Sequence, residues 1–113
     1  MEHNNQEQKI QEVIRYIQDA NPEAEMLEGH DNAILGIAAV PQLGECVAYS
    51  SAIIVNNLFN DYMDDDSYEW ESEEEAGMSK NDQAWQMALD FYGHSIYSVS
   101  YGEYGPIFID DFF

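Results

Sequence analysis

A dense acidic run at residues 61–75 is the feature that most constrains this chain. Its fifteen residues include nine carboxylates and neither Lys nor Arg; the nine are Asp61, Asp64, Asp65, Asp66, Glu69, Glu71, Glu73, Glu74 and Glu75. The whole chain repeats the bias, because 23 acidic residues face only Lys9, Arg15 and Lys80, for a formal charge of −20. Self-repulsion of this size destabilises a compact state. A chain with this net charge is therefore disordered, adapted to high salt, or uses its charge to bind a partner.

The rest of the composition argues against disorder. Hydrophobic residues make up 45% of the chain and aromatic residues 13%, whereas disordered acidic tails are poor in aromatics. In a halophilic protein the acidic residues are usually distributed over the whole surface, but here 9 of 23 carboxylates fall within 15 positions. The length of 113 residues predicts a single compact domain, residues 1–113, with an acidic insertion at about residues 61–76.

Apolar residues recur at helical spacing in three segments. Residues 5–20 carry a stripe at i, i+3, i+4 and i+7, formed by Ile10, Val13, Ile14 and Ile17. Residues 52–62 show the same spacing, and so does the segment from residue 80 to about residue 92. Ser79 precedes this third helix as a candidate N-cap.

The remaining apolar segments predict strands. Ala33–Val40 is a near-continuous apolar run, typical of a buried central strand, and the turn Pro41–Gly44 joins it to Glu45–Tyr49 as an antiparallel hairpin. Ser95–Tyr101 alternates as a strand does, and Ile107–Ile109 predicts a short final strand. We therefore expect an α+β fold, with a small antiparallel sheet of three or four strands and about three helices in the order α-β-β-α-α-β.

Several compartments and ligands are disfavoured. The first residues lack the basic and apolar regions of a signal peptide, and no apolar stretch is long enough to span a membrane. Cys46 is the only cysteine, so no intramolecular disulfide or two-cysteine zinc pair is possible. Without a basic patch, direct binding to nucleic acid or an anionic membrane is not expected. The sequence favours a cytoplasmic protein without a cofactor, located in the host cell if the chain is phage-encoded.

The second half of the chain resembles a family of small phage-encoded proteins. The family's sequence pattern is Gly-Met followed by a polar N-cap, a short helix, and then Y-G-E-x-x-P-I-F. The residues that match it here are Gly77-Met78-Ser79, Ala84, Ala88, Phe91-Tyr92, Ser95-Ile96, Tyr101-Gly102-Glu103-Tyr104 and Pro106-Ile107-Phe108. Residues 31–36 are similar to the family's first strand. The likeness covers about two-thirds of the chain. It implies a phage setting but no reaction, and residues 63–76 are an addition to the family pattern.

The added acidic run has the chemistry of a nucleic-acid mimic. Proteins that handle DNA meet its regular negative charge with Lys and Arg clefts, and carboxylates at similar spacing can occupy those clefts. In an extended segment, alternate glutamates from Glu69 to Glu75 would face one way at roughly 6–7 Å intervals. In a helix, Glu71 and Glu75 would share a face instead. The alternative is a solvated acidic loop.

Two aromatic residues, Tyr68 and Trp70, lie inside the run and could either anchor it or contact a partner. We include Trp70 in the predicted partner-binding surface. That surface comprises Asp61, Asp64, Asp65, Asp66, Glu69, Trp70, Glu71, Glu73, Glu74 and Glu75.

Metal binding is not predicted. The triplet Asp64–Asp66 begins like a calcium loop, and Asp66 and Glu75 fall at ligand positions 3 and 12. Tyr68 and Glu69 then occupy positions 5 and 6, where an oxygen ligand and a glycine are required.

Catalysis is not predicted either. His3, His30, His94 and Cys46 are candidate bases and nucleophile, but none lies in a catalytic motif. His94 is typical of a position just past a helix C-terminus, and a lone Cys46 is typical of a buried small residue. The aromatic residues Tyr97, Tyr101, Tyr104 and Phe108 are interpreted as core and turn packing rather than as a platform for bases, since no cations surround them.

The sequence therefore predicts a phage-type inhibitor of a host DNA-targeting defence complex, of the anti-CRISPR class. It would act as an acidic DNA mimic on a Lys/Arg cleft of a basic nucleic-acid-binding protein or CRISPR effector complex. Three alternatives stay open: an anti-restriction protein, an immunity protein or antitoxin that neutralises a basic nuclease, and a phage accessory protein whose acid only confers solubility.

Overall fold

The computed structural model describes residues 3–42 and 44–112, with the side chains of residues 3 and 4 left out. It divides into two compact units, Met1–Ala52 with Ser100–Phe113, and Ile53–Val99. The first unit contains the sheet, and the second contains helices and the acidic run. The expectation of one domain stays a prediction.

The first unit is built on a three-stranded sheet. A helix, α1 (His3–Ala20), precedes strands β1 (Ile34–Val40) and β2 (Gly44–Ser50), and β3 (Ile107–Ile109) comes near the end of the chain. The strand order is β1-β2-β3. The predicted α+β class is confirmed, and the order of elements matches the predicted one apart from an additional short helix, Glu73–Ala76.

The direction of β3 differs from the predicted antiparallel sheet. The hairpin of β1 and β2 is antiparallel as expected, with Val40 opposite Gly44, but β3 runs parallel to β2. Parallel neighbours require a long crossover, and residues 51–106 supply one. Within the predicted turn, Gln42 has a φ of +71°, and Leu43 lies outside the described residues.

The buried central strand is β2 rather than the predicted β1. Residues 46–50 of β2 are all buried, whereas Leu35 of β1 is 53% exposed. The pairing register shifts between Ile34 and Gly36, and the extra residue of such a bulge is left outside the ladder. An apolar run alone did not distinguish an edge strand with a bulge from a central strand.

Helix α1 supplies apolar side chains to the first unit's core. Ile10 and Ile17 of the predicted stripe are buried, and Val13 and Ile14 are half-buried. In β2, the fully buried Tyr49 keeps its hydroxyl oxygen paired, because it accepts a 2.8 Å hydrogen bond from the backbone N–H of Leu27.

The second unit is helical. It includes α2 (Ser51–Asp64, whose first two residues belong to the first unit), α3 (Glu73–Ala76) and α4 (Lys80–Phe91). Its buried apolar residues include Ile54, Val55, Leu58, Ala84 and Ala88, and the ring of Phe59 stacks on that of Trp85 at 4.8 Å.

The strand predicted at Ser95–Tyr101 is wrong. Residues Tyr92–Tyr97 form a π-helical turn that continues from α4. Tyr92 and Ile96 are buried four residues apart, which is a helical rather than an alternating pattern. Tyr97 is 61% exposed and its ring lies 5.9 Å from that of the buried Tyr92, so it packs at the surface and not in the core. The packing interpretation is confirmed for Tyr101 and Phe108, whose rings lie 6.1 Å apart in the first unit.

Candidate acidic interaction surface

The acidic segment, residues 61–76, lies wholly in the second unit and is divided among four local structures. Asp61 and Asp64 lie in the last turn of α2, Asp65 and Asp66 in the turn that follows, and Glu69 and Glu71 in an irregular stretch. The last three glutamates, Glu73, Glu74 and Glu75, begin α3.

Neither predicted arrangement of the glutamates forms in full. An extended ladder from Glu69 to Glu75 is interrupted, because the helix begins at Glu73. The helical alternative also fails, because Glu71 precedes the N-cap and so does not share a helix with Glu75. The carboxylates are thus carried on a sequence of short elements rather than on one regular ladder.

The turn after α2 is held by Asp65. Its Oδ1 accepts hydrogen bonds from the backbone N–H of Ser67 at 3.0 Å and from the Ser67 hydroxyl at 2.5 Å. These two hydrogen bonds lower the pKa of Asp65 below its usual value, and the bond from the Ser67 hydroxyl has the larger effect. Both bonds favour the ionised form of the carboxyl group. The turn therefore stabilises a negative charge at this position.

The short helix α3 is closed at both ends. The Ser72 hydroxyl accepts a 3.2 Å hydrogen bond from the N–H of Glu75. Gly77 has a φ of +71° and donates its N–H to the carbonyl of Glu73 at 2.9 Å, a conformation that favours glycine. The three glutamates lie at the positive end of the helix dipole. The S-x-x-E pattern of Ser72 and Glu75 is a capping signal that the sequence analysis missed.

Aromatic side chains anchor the irregular stretch. The ring centroid of Tyr68 lies 4.6 Å from that of Trp70 and 6.4 Å from that of Tyr62 in α2. Lys80 Nζ lies 5.7 Å from the centroid of the Trp70 ring, within the range of a cation–π interaction. Trp70 is half-buried, so the anchoring role left open by the sequence is the one that these contacts support.

All nine carboxylates of the run are exposed. The second unit also contains Asp82 and Asp90, which brings its carboxylates to eleven. Lys80 is its single Lys or Arg, so the net charge of residues 53–99 is −10. This unit presents a strongly negative field, which attracts cationic partners and accelerates their association at low salt.

The described residues offer little for metal or nucleophilic chemistry. No three His, Cys, Asp or Glu side chains among them are grouped to hold a metal ion. Cys46 is buried, and burial raises the pKa of its thiol, which opposes formation of the reactive thiolate. His30 is half-buried and His94 exposed, while the side chain of His3 lies outside the described residues.

Comparisons with known proteins add no relative. No protein family model, curated protein or solved structure matches this chain. The resemblance to phage-encoded proteins therefore stays a prediction. No helix within residues 3–42 and 44–112 has the length and apolar character to cross a membrane.

Proposed function

We propose that the protein inhibits a host DNA-targeting defence complex, of the anti-CRISPR class, by occupying a Lys/Arg cleft that otherwise accepts DNA. The observation that carries the proposal is the exposure of all nine carboxylates, from the last turn of α2 to the capped helix α3, in a unit with a net charge of −10. The phage setting rests on the sequence resemblance of residues 77–108.

Local order supports mimicry over a solvated loop. Asp65 fixes the turn, Ser72 and Gly77 close α3, and the Tyr68–Trp70 pair packs the stretch between them. Charges on ordered elements lose less conformational entropy on binding than charges on a flexible chain. A segment needed only for solubility has no requirement for these caps and ring contacts.

The position of two aspartates also supports a role in binding. Asp61 and Asp64 lie near the C-terminal end of α2, whose last turn contains no basic residue. Negative charge is unfavourable at that end of a helix dipole. Acid placed where it weakens its own helix is consistent with selection for a partner.

The proposal is tested by competition with DNA. A guide-loaded, DNA-targeting CRISPR effector complex is titrated with fluorescent target DNA, with and without the protein, and binding is followed by fluorescence anisotropy. We expect the wild-type protein to displace the DNA, less effectively as salt increases, because screening weakens charge-driven association. Combined Glu71→Gln, Glu73→Gln, Glu74→Gln and Glu75→Gln should abolish displacement and leave the circular dichroism spectrum unchanged.

A matched variant separates the acidic segment from total charge. Four exposed carboxylates of the first unit, changed as Glu7→Gln, Glu12→Gln, Asp19→Asn and Glu23→Gln, alter the net charge by the same amount. This variant should still displace DNA. Full inhibition by the segment variant, or equal loss in both variants, would contradict mimicry by the acidic segment.

The same assay assigns the alternatives. Displacement of DNA from a restriction enzyme, with no effect on CRISPR complexes, would replace the proposal with anti-restriction. Neutralisation of one basic nuclease alone would identify an immunity protein or antitoxin. Failure to bind any basic partner at moderate salt would leave the acid with a role in solubility and refute the proposal.

A further inference from the structure

A surface cleft of about 390 Å³ lies between the acidic segment and α4. One wall is formed by Tyr68, Glu69 and Glu71 of the irregular stretch. The other comes from one face of α4, where residues 83, 86, 87 and 90 fall at i, i+3, i+4 and i+7. Ala76, the last residue of α3, and Met78, in the link between α3 and α4, complete the lining.

Gln83 holds the two walls in place. Its side-chain Nε2 donates to the carbonyl oxygen of Glu71 at 3.0 Å and to that of Met78 at 3.3 Å. The first bond joins α4 directly to the acidic segment, and the second joins it to the turn before Ser79. The cleft is therefore formed before any ligand arrives, which lowers the entropic cost of binding.

The lining combines two chemistries. Met78 and Met87 are half-buried apolar side chains, and the Tyr68 ring is 40% exposed. Around them stand the exposed carboxylates of Glu69, Glu71 and Asp90. A complementary ligand has an apolar stem and a cationic head.

We propose that this cleft accepts an arginine side chain of the basic partner. The inference deepens the proposed function, because arginine is what a DNA-binding cleft would present. Its methylene stem would lie along Met78 and Met87, and its guanidinium would stack on Tyr68 and donate hydrogen bonds to the Glu71 and Asp90 carboxylates. Lysine fits less well, since its compact ammonium is more strongly hydrated and lacks the planar face and the two-pronged donor geometry of a guanidinium.

Trp70, next to the cleft residue Tyr68, already has one cation over its ring. Lys80 Nζ lies over the Trp70 ring, which packs against Tyr68. The electrostatics of this part of the unit therefore favour a cation on an aromatic face.

The test uses two capped peptides of equal charge, a Gly-Arg repeat and a Gly-Lys repeat with three basic residues each. Binding to the full chain is followed by NMR through the methionine methyl groups and the glutamine side-chain amides. We expect the arginine peptide to shift the signals of Met78, Met87, Gln83 and Gln86 and to bind several-fold more tightly than the lysine peptide. Equal affinity for the two peptides, or shifts confined to residues outside the cleft, would overturn the inference.

Two matched pairs of variants sharpen the result. Glu71→Gln with Asp90→Asn should weaken arginine-peptide binding about tenfold. Glu73→Gln with Glu74→Gln removes the same charge from exposed residues outside the cleft lining and should weaken it by less than about threefold. Tyr68→Phe should keep the arginine preference, and Tyr68→Ala should abolish it. Equal losses of affinity in the two charge variants would show that the peptide responds to the overall negative charge of the unit and not to the cleft, and would refute the inference.

The peptide test needs no defence complex, so its failure is separate from failure of the proposed function. DNA displacement without arginine preference would keep the function and reject the cleft. Arginine preference without DNA displacement would keep the cleft and reject the function.

Discussion

At the scale of single residues, Asp111 caps a helix from a distant position in the sequence. Its Oδ1 accepts a 2.9 Å hydrogen bond from the N–H of Ala52, the second residue of α2, 59 positions away, and its Oδ2 accepts a 2.5 Å bond from the Ser50 hydroxyl. Both groups favour the ionised carboxylate, and the Ser50 hydroxyl is the larger cause of the lowered pKa of Asp111. Local sequence around α2 does not reveal this cap.

Replacing this cap should reduce stability in a pH-dependent way. We expect Asp111→Ala to lower the free energy of unfolding by about 0.5–2 kcal/mol at pH 7, the usual loss for a helix cap. Because folding lowers the pKa of Asp111, its contribution is complete above the unfolded value of about 3.9 and is lost as pH falls through the folded value. The difference between wild type and variant should therefore be constant from pH 7 to 5 and shrink below about pH 4.

Urea unfolding at several pH values measures this difference. Asp110→Ala is the matched control, since Asp110 is an exposed neighbour, and it should change stability by less than about 0.5 kcal/mol. An Asp111→Ala difference that stays unchanged down to pH 3 would show that the charge of Asp111 does not contribute.

At the scale of elements, sequence periodicity predicted the helices well and the sheet less well. The stripes in α1, α2 and α4 depend on neighbours three and four residues apart, and Ser79 marks the start of α4 by accepting the N–H of Asp82 at 3.2 Å. The parallel pairing of β3 depends instead on the path of residues 51–106, which no local pattern encodes. The strand prediction for Ser95–Tyr101 failed because its alternating side chains are typical of a strand. Burial of Tyr92 and Ile96, four residues apart, instead maintains a helical turn.

The candidate site was predictable in composition and not in geometry. The sequence identified every carboxylate of the acidic run, and all of them are exposed. It did not predict that Ser72 would start α3 at Glu73, nor that Gln83 would bond to the carbonyl of Glu71 across 12 residues. Both features depend on the path of the backbone between Glu71 and Gln83, which the spacing of the carboxylates does not encode.

The opposite ends of α2 and α3 allow a test of the helix-dipole argument. Asp64 is the last residue of α2, and Glu74 lies in the first turn of α3. Each substitution, Asp64→Asn or Glu74→Gln, removes one exposed charge from the same unit. Asp64→Asn should stabilise the protein by about 0.3–1 kcal/mol, and Glu74→Gln should stabilise it less or destabilise it, because the dipole contributions have opposite signs.

Urea unfolding at low ionic strength gives the comparison. The difference between the two variants should decrease in salt, because exposed charges are screened. Equal stabilisation by both substitutions would show that overall repulsion, rather than the helix dipoles, controls the energetics of the acidic segment.

At the scale of the whole molecule, the negative charge is not confined to the acidic segment. The first unit contains twelve carboxylates against Lys9 and Arg15, so its net charge is also −10. What distinguishes the second unit is density, since nine of its eleven carboxylates fall within residues 61–75. Binding that depends on the segment must therefore be separated from binding that depends on total charge, as the two four-residue variants do.

Self-repulsion in a molecule with a charge of −20 should make its stability depend on salt. The Debye length falls from about 30 Å at 0.01 M salt to about 8 Å at 0.15 M, so repulsion between exposed carboxylates weakens. We expect the free energy of unfolding to rise by on the order of 1 kcal/mol over this range, the scale of a few exposed charge pairs, as measured by urea unfolding in NaCl. Tetramethylammonium chloride should give the same increase, because screening does not depend on the identity of the cation. A gain with sodium alone would indicate cation binding instead, and no gain with either salt would show that the fold already accommodates its charge.

The four-residue segment variant should show a weaker salt dependence than the wild type, since it removes charges from the most crowded part of the chain. A basic cleft would relieve the same repulsion on binding, so partner affinity should fall in the salt range where the free protein becomes more stable.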